Sequence, residues 1–263
     1  MRNVLIAVFV LSAFISCKDK SEILTSREEN QDPLLLSVLW YQRSAEMQAL
    51  YYQGYNIAKS ALREKTGKSD NKKPKTVIMD IDETVLDNSP VEAYQVIENV
   101  PFSDSLWNRW VSLCSAEPLP GALDFTKFAE SKGAEVFYVS NRTLSDSFEY
   151  TIKNLKSKGF PFADSIHVVL KTDLSSKEIR RMAIAEKYDI ILLMGDNLAD
   201  LDVVFEKRGD DLGFGAVNNN IKEFGTRFIL FPNPMYGPWL NAAIKDITGN
   251  SNREKLMKSI ISF

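Results

Sequence analysis

Histidine and cysteine are nearly missing from this 263-residue chain, and their scarcity removes whole classes of chemistry. The one histidine, His167, alternates with apolar residues in Ile166-His167-Val168-Val169-Leu170 and reads as a packed strand residue. No histidine is therefore left to serve as a catalytic base or to build an imidazole metal centre. The two cysteines, Cys17 and Cys114, lie far apart, and if the first is modified the second has no partner, so the fold must hold without a disulfide. No block of like charge occurs: 32 basic and 35 acidic residues are interspersed, for a formal net charge of -3. The basic footprint of a nucleic-acid binder is thus lacking, and no nucleic-acid partner is expected. There is no internal repeat, and no apolar run of the roughly 20 residues that a bilayer span needs.

What is present begins with an address. Arg2 precedes an uncharged apolar stretch, Val4 to Ile15, that stops at Ser16-Cys17 and runs into Lys18-Asp19-Lys20, the form of a signal peptide. Phe14-Ile15-Ser16-Cys17 resembles the lipobox of bacterial lipoproteins, in which the cysteine becomes the lipidated first residue, with Phe14 in place of the usual leucine. This predicts an exported protein held on a membrane by lipid on Cys17. Residues 18–32 have too little apolar content to pack and are expected to act as a tether.

From residue 33 the pattern is that of a folded domain. Leu36, Leu39, Trp40, Met47, Leu50, Tyr51, Tyr55, Ala58, Ala61 and Leu62 recur at helical spacing, which predicts one long amphipathic helix within 33–74. Short apolar runs follow at Thr76–Met79, Val136–Val139, Ile166–Leu170, Ile190–Met194 and Phe228–Phe231, separated mostly by helical patterns. Such alternation predicts an α/β fold, a three-layer Rossmann-like parallel sheet over residues 75–240. An insert at 88–120 would form a small helical cap, and 241–263 would add C-terminal helices. Ser175 and Glu178 have capping-box spacing, so a helix is predicted from there to about Tyr188.

The polar residues fall where this skeleton concentrates function. Asp80 follows the first strand, Ser140 the second, and Asp196 the strand ending at Met194, so all three lie at carboxyl ends of parallel strands, where open α/β sheets bind ligands. Asp80 and Asp82 stand two residues apart and can share a direction; Asp196 and Asp200 add further carboxylates. Two close anions repel unless a cation joins them, and hard oxygen donors without histidine or thiolate suit Mg²⁺. Beside a metal, a carboxylate can attack phosphorus while a second carboxyl handles the proton. Ser140, Asn141 and Lys177 are the candidates to hold a phosphoryl group. Lys177, near a helix start, opposes the helix dipole, which an anion shared with the helix amides would explain.

In order and strand placement, Asp80-Ile81-Asp82-Glu83-Thr84, Ser140-Asn141-Arg142, Lys177 and Gly195-Asp196-Asn197 with Asp200 resemble the four motifs of the haloacid dehalogenase (HAD) superfamily. Leu86-Asp87-Asn88-Ser89-Pro90 and Pro232-Asn233-Pro234-Met235-Tyr236-Gly237-Pro238-Trp239 resemble, more narrowly, the class C acid phosphatase lipoproteins of bacterial outer membranes. The resemblance implies hydrolysis of phosphomonoesters, nucleoside monophosphates among them, through an aspartyl-phosphate. It makes Asp80 the nucleophile, Asp82 the acid/base, and Ser140 and Lys177 phosphate contacts. The metal would be held by Asp80, Asp196 and the carbonyl of Asp82, with Asp200 in support. Trp107 or Trp110 and Tyr236 would hold the leaving group between rings. Val91 stands where relatives often carry a tyrosine, which removes one aromatic wall. The competing reading is a lipoprotein that captures nucleotides without turning them over.

Overall fold

In the computed structural model, residues 32–68 and 72–262 are described; the signal, the lipobox and the tether lie outside them. The helices and strands run α1 Asp32–Arg43, α2 Ala45–Lys68, β1 Lys75–Met79, β2 Leu86–Asp87, α3 Ser89–Glu98, α4 Asp104–Ser112, β3 Glu117–Pro118, α5 Ala122–Ser131, β4 Glu135–Thr143, α6 Leu144–Ser157 and β5 Val168–Lys171. They continue as α7 Glu178–Lys187, β6 Asp189–Gly195, α8 Leu198–Leu201, α9 Phe214–Asn219, β7 Phe228–Leu230, α10 Pro238–Ile244 and α11 Asn252–Ser259.

Five of these strands form one sheet in the order β5-β4-β1-β6-β7, every pair parallel. The strand runs read as continuous apolar sequence because both faces are covered. Alternate residues serve opposite layers: Val77, Met79, Val136, Tyr138, Leu192 and Met194 enter one core, whereas Ile78, Phe137, Val139 and Leu193 enter the other. No described helix is long and apolar enough to cross a membrane.

The single long helix expected within 33–74 is two. Ser44 interrupts it: its N–H still donates to Trp40 O at 3.0 Å, while its hydroxyl accepts from Met47 N at 3.1 Å and starts the next helix. The break resets the helical phase. Leu36, Leu39 and Leu50 are exposed, and the buried stripe is Val38 and Tyr41 in α1, then Met47, Tyr51, Tyr55, Ala58 and Leu62 in α2. Three buried phenols then reach polar partners: Tyr41 and Tyr51 hydroxyls meet at 2.5 Å, Tyr51 donates to Glu83 O, and Tyr55 donates to Thr84 O at 2.5 Å. The N-terminal helices thereby grip the loop that leaves β1.

Gly54 is where this packing closes. A methyl group there would come within 2.6 Å of Phe231 Cε1, the ring that stacks on Tyr51 at 5.1 Å. Helix propensity favours alanine over glycine by up to about 1 kcal/mol, but overpacking a filled core costs about 1–3 kcal/mol. Gly54→Ala is therefore expected to lower the urea midpoint, and a raised midpoint would show that Phe231 yields freely.

Two other local expectations are corrected. The capping box of Ser175 and Glu178 does not form. Ser176 Oγ, at 3.2 Å, accepts from Glu178 N, and the Glu178 carboxylate turns to the Arg181 guanidinium at 2.8 Å, a charge-assisted bond that outcompetes a neutral amide. Lys177 becomes the residue before the first turn of α7. His167 precedes β5 rather than standing within it. Its ring packs near Phe137 and Phe162, with Nδ1 2.8 Å from Asp164 Oδ1 and Nε2 2.9 Å from Glu135 Oε2.

The insert forms α3 and α4 over a short antiparallel ribbon pairing Leu86 with Pro118 and Asp87 with Glu117. Gln42 on α1 donates to Ser89 Oγ at 3.1 Å, fixing the start of α3 against the N-terminal helices.

Candidate active site

The strand ends bring the motifs together. Asp80 N donates to Met194 O at 2.9 Å, so the first residue after β1 sits beside the end of β6, where Asp196 follows. Gly195 allows the close approach, since any Cβ there would overlap the Asp200 side chain. Asp200 is fixed by Asn197 N, which donates to its Oδ2 at 2.9 Å in the capping box of α8. Oxygens of Asp80, Asp196 and Asp200 all lie within 4.8 Å of one another. Lys177 Nζ, fully enclosed, ion-pairs with Asp80 and stands 2.7 Å from Asp200 Oδ1. Among the described residues, Asp196 accepts a side-chain hydrogen bond from the neutral Asn233 amide alone, at 2.8 Å.

Three carboxylates thus face one ammonium. Burial lifts the Asp80 carboxyl to about 7 against the lowering charge of Lys177, and lifts Asp196 well above the carboxylate range, with Asp200 and Asp80 adding repulsion. This shortage of positive charge, in an all-oxygen donor set without imidazole or thiolate, fits a hard divalent cation.

Asp82 turns away from that cluster. Its Oδ1 accepts from Arg142 Nε at 2.9 Å and Asn88 Nδ2 at 2.8 Å, and its Oδ2 accepts from Ser140 Oγ at 3.1 Å. Asn88 is the hub of the loop: its Oδ1 accepts from Trp110 Nε1 at 2.8 Å and from Arg142 at 3.3 Å. Arg142 also lies 5.5 Å from the centre of the Trp107 ring. Cap, loop and sheet are joined through these groups, and Asp82 is held in one orientation.

A cleft of about 970 Å³ opens over this floor, within the size of small-molecule sites. Asp80, Asp82, Trp107, Asn141, Lys177, Asp196, Asp200 and Tyr236 all line it. Ser140 does not; it is fully buried beneath, braced against Asp82. Trp110 points to Asn88 instead of lining the cleft, and Val91 is buried behind the cap, whose lining residues on α3 are Glu92 and Gln95. Val91 therefore packs within the cap and does not itself line the cleft.

Sequence reasoning gave no role to Arg142, Asn88, Arg180 or Glu83. Arg180 donates to Ser140 O at 2.7 Å and to Asn141 Oδ1 at 2.6 Å, which aims the Asn141 side chain. Glu83 is fully buried at φ 56°, in the left-handed region that a residue of its size rarely adopts. Its Oε1 accepts from Asn88 N at 2.8 Å and its other oxygen from the Tyr236 hydroxyl. Burial pushes this carboxyl well above its usual range, helped by the Asp82 and Asp196 charges. Glu83 so ties the loop after β1 to the loop after β7, leaving the Tyr236 ring on the cleft wall. The only signal in the sequence was its place next to Asp82.

Glu92 is a buried carboxyl on the cap helix α3. Burial raises it from 4.5 to about 7, opposed by the Gln95 amide at 2.7 Å. The unfolded chain then loses this proton first, so ionisation costs stability as pH rises from about 4.5 to about 7, by up to about 3 kcal/mol, with no further change above. Wild type minus Glu92→Gln, measured by urea unfolding across that range, should show this decline; a flat difference would mean the carboxyl titrates as in water. Asp104, Arg142, Lys171 and Arg253 line the same cleft and remain in both proteins.

Solved structures with this architecture include the class C acid phosphatase from Bacillus anthracis, 38% identical with a TM-score of 0.82 over 90% of this chain and 99% of that one. The same enzyme with tungstate bound gives 36% identity and a TM-score of 0.82 over 89% and 99%. Among curated proteins, a stem 31 kDa glycoprotein of Glycine max is 30% identical over 168 residues, 60% of this chain and 58% of that protein. A stem 28 kDa glycoprotein of the same plant is 29% identical over 133 residues, 48% of this chain and 52% of its own length, so the chain spans little more than half of these relatives. The pattern described as HAD superfamily, subfamily IIIB (acid phosphatase) matches residues 18–239, and the chain belongs to that family.

Proposed function

We propose that the protein hydrolyses small phosphomonoesters, nucleoside monophosphates among them, through a phosphoenzyme formed on Asp80. The observation that carries this reading is the pair of carboxylates with different surroundings: Asp80 beside Lys177, Asp196 and Asp200, and Asp82 oriented by Arg142, Asn88 and Ser140. An Asp80 oxygen attacks phosphorus as the bond to the leaving oxygen breaks, and Asp82 gives that oxygen its proton. Asp82 then takes a proton from water, which attacks the aspartyl-phosphate, frees inorganic phosphate and restores Asp80. Lys177 and the Asn141 amide are the donors for the phosphoryl oxygens. Mg²⁺, held by Asp80 and Asp196 with Asp200 in support, would supply the missing positive charge and polarise a phosphoryl oxygen. A tungstate-bound form of the Bacillus anthracis enzyme agrees with this reading, tungstate being a tetrahedral oxyanion as phosphate is.

Phosphate release from an aryl phosphate and from nucleoside monophosphates, with chelator and after added Mg²⁺, tests the proposal. Activity lost to chelator and restored by Mg²⁺ is expected. Chelator-resistant turnover would remove the metal, and ligand binding without turnover would favour a capture protein. We also propose export and a lipid on Cys17 at the outer membrane; Cys17→Ser should move the protein from the membrane to the soluble fraction.

A further inference from the structure

Glu92 and Gln95 are both more than nine-tenths buried, yet both face the cleft. Gln95 Nε2 donates to Glu92 Oε2 at 2.7 Å and leans on Val91 O at 3.5 Å, which uses both amide hydrogens. Two acceptors are left without a partner among the described residues, Glu92 Oε1 and Gln95 Oε1. No ion pair holds the Glu92 carboxyl among those residues either. Neither oxygen is sealed from solvent, so both are open to a donor that enters the cleft and takes the place of water there.

The position of the pair indicates which part of a ligand it meets. Asn88, which holds Asp82, immediately precedes α3, and Glu92 follows it by four residues, about one helical turn or 5.4 Å farther along the same face. Asp82 is the group assigned to the leaving oxygen, so the pair lies on the leaving-group side. Trp107 and Tyr236 line that cleft, and a stacking ring cannot distinguish one polar edge from another.

We infer that Glu92 and Gln95 form a leaving-group subsite that selects phosphomonoesters whose alcohol carries a primary amino group. Two adjacent acceptors, one of them acidic, match a group with at least two N–H bonds and leave a carbonyl-bearing edge unpaired and repelled. Burial holds the Glu92 carboxyl protonated up to about pH 7, and an arriving ammonium or amino group favours the ionised form, in which the free oxygen is an acceptor, so the preference is read above that pH. The inference rests on the phosphatase reading and adds the chemistry of its substrate.

The test compares kcat/KM for matched pairs: adenosine against inosine monophosphate, cytidine against uridine monophosphate, and phosphoethanolamine against ethyl phosphate. Wild type should prefer the amino member of at least one pair by about tenfold or more, the worth of one hydrogen bond to a charged partner. Preference confined to the nucleotides assigns an exocyclic base amine, and preference confined to phosphoethanolamine assigns an alkyl ammonium. Glu92→Gln, nearly isosteric and relieved of a buried acid, should bring the preferred ratio to within about twofold of unity, as should Gln95→Leu. Wild-type ratios near unity in all three pairs overturn the subsite even if every ester is hydrolysed. Failure of wild type to hydrolyse any ester, aryl phosphate included, overturns the phosphatase reading and the subsite with it.

Discussion

Asp80→Asn should lower kcat by at least about 10⁴-fold, because on the proposed phosphoenzyme route the substitution removes the attacking carboxylate and leaves the rest of the floor intact. Asparagine matches the carboxylate in shape, and its Oδ1 can still accept from Lys177, so the Asp80 backbone bridge from β1 to Met194 O is untouched. Folding should not suffer. The Asp80 carboxyl, lifted to about 7 by burial, is one of several anions crowded around a single lysine, and a neutral amide relieves that crowding at neutral pH. The expected result is a protein with an unchanged or higher midpoint that binds phosphate esters but does not turn them over. A loss of less than about tenfold would assign the attack to water and leave Asp80 as a metal ligand alone. Asp82→Asn makes the contrast: general acid–base catalysis contributes about 10²–10⁴-fold, and the loss should shrink for aryl phosphates, whose leaving oxygen needs little help from a proton.

The parts of this site that could be read from the sequence are those that follow directly from a buried strand. Val77–Met79 and Ile190–Met194 are apolar throughout because each lies between two covered faces, so the aspartates that follow them had to stand at the sheet's carboxyl rim. Lys177 was legible for the opposite reason, as a cation where a helix start disfavours one. What escaped depends on partners far away in the chain. Nothing near Arg142 announces that its guanidinium meets Asp82, and nothing near Glu83 announces Tyr236, 153 residues on. The Ser44 break was hidden because its flanks both have helical spacing, and only the changed phase of the buried stripe reveals it. Nothing in the local sequence singles out Glu92; the cleft above it is made by α1, α4 and the C-terminal helices, which no local pattern places there.

Lys177→Met should have the other large effect, and on two quantities at once. Burial works to lower the lysine's pKa, but the charges and hydrogen bonds of Asp200 and Asp80 outweigh it and hold the ammonium above its ordinary range. A basic group raised in this way stabilises the fold fully below its unfolded pKa of 10.5 and loses that contribution only as pH climbs through the higher folded value. At pH 5–8 the whole contribution is therefore present to be lost. Removing one partner of a buried pair costs about 3–5 kcal/mol, chiefly through the anion left behind. Here Asp80, Asp196 and Asp200 are all left behind, and the deficit should grow as pH rises and they are asked to ionise. A divalent cation can substitute for the lost charge, so the rise in melting temperature between chelator and Mg²⁺ should be larger in the variant than in wild type. Turnover should stay about 10²–10³-fold down even with saturating Mg²⁺, since the metal would replace the lysine's charge but not the hydrogen bonds proposed for it to the phosphoryl oxygens. If the variant in chelator at pH 7 melts with wild type, the acidic cluster does not depend on Lys177 for its stability, and the lysine would be retained for the phosphoryl group alone.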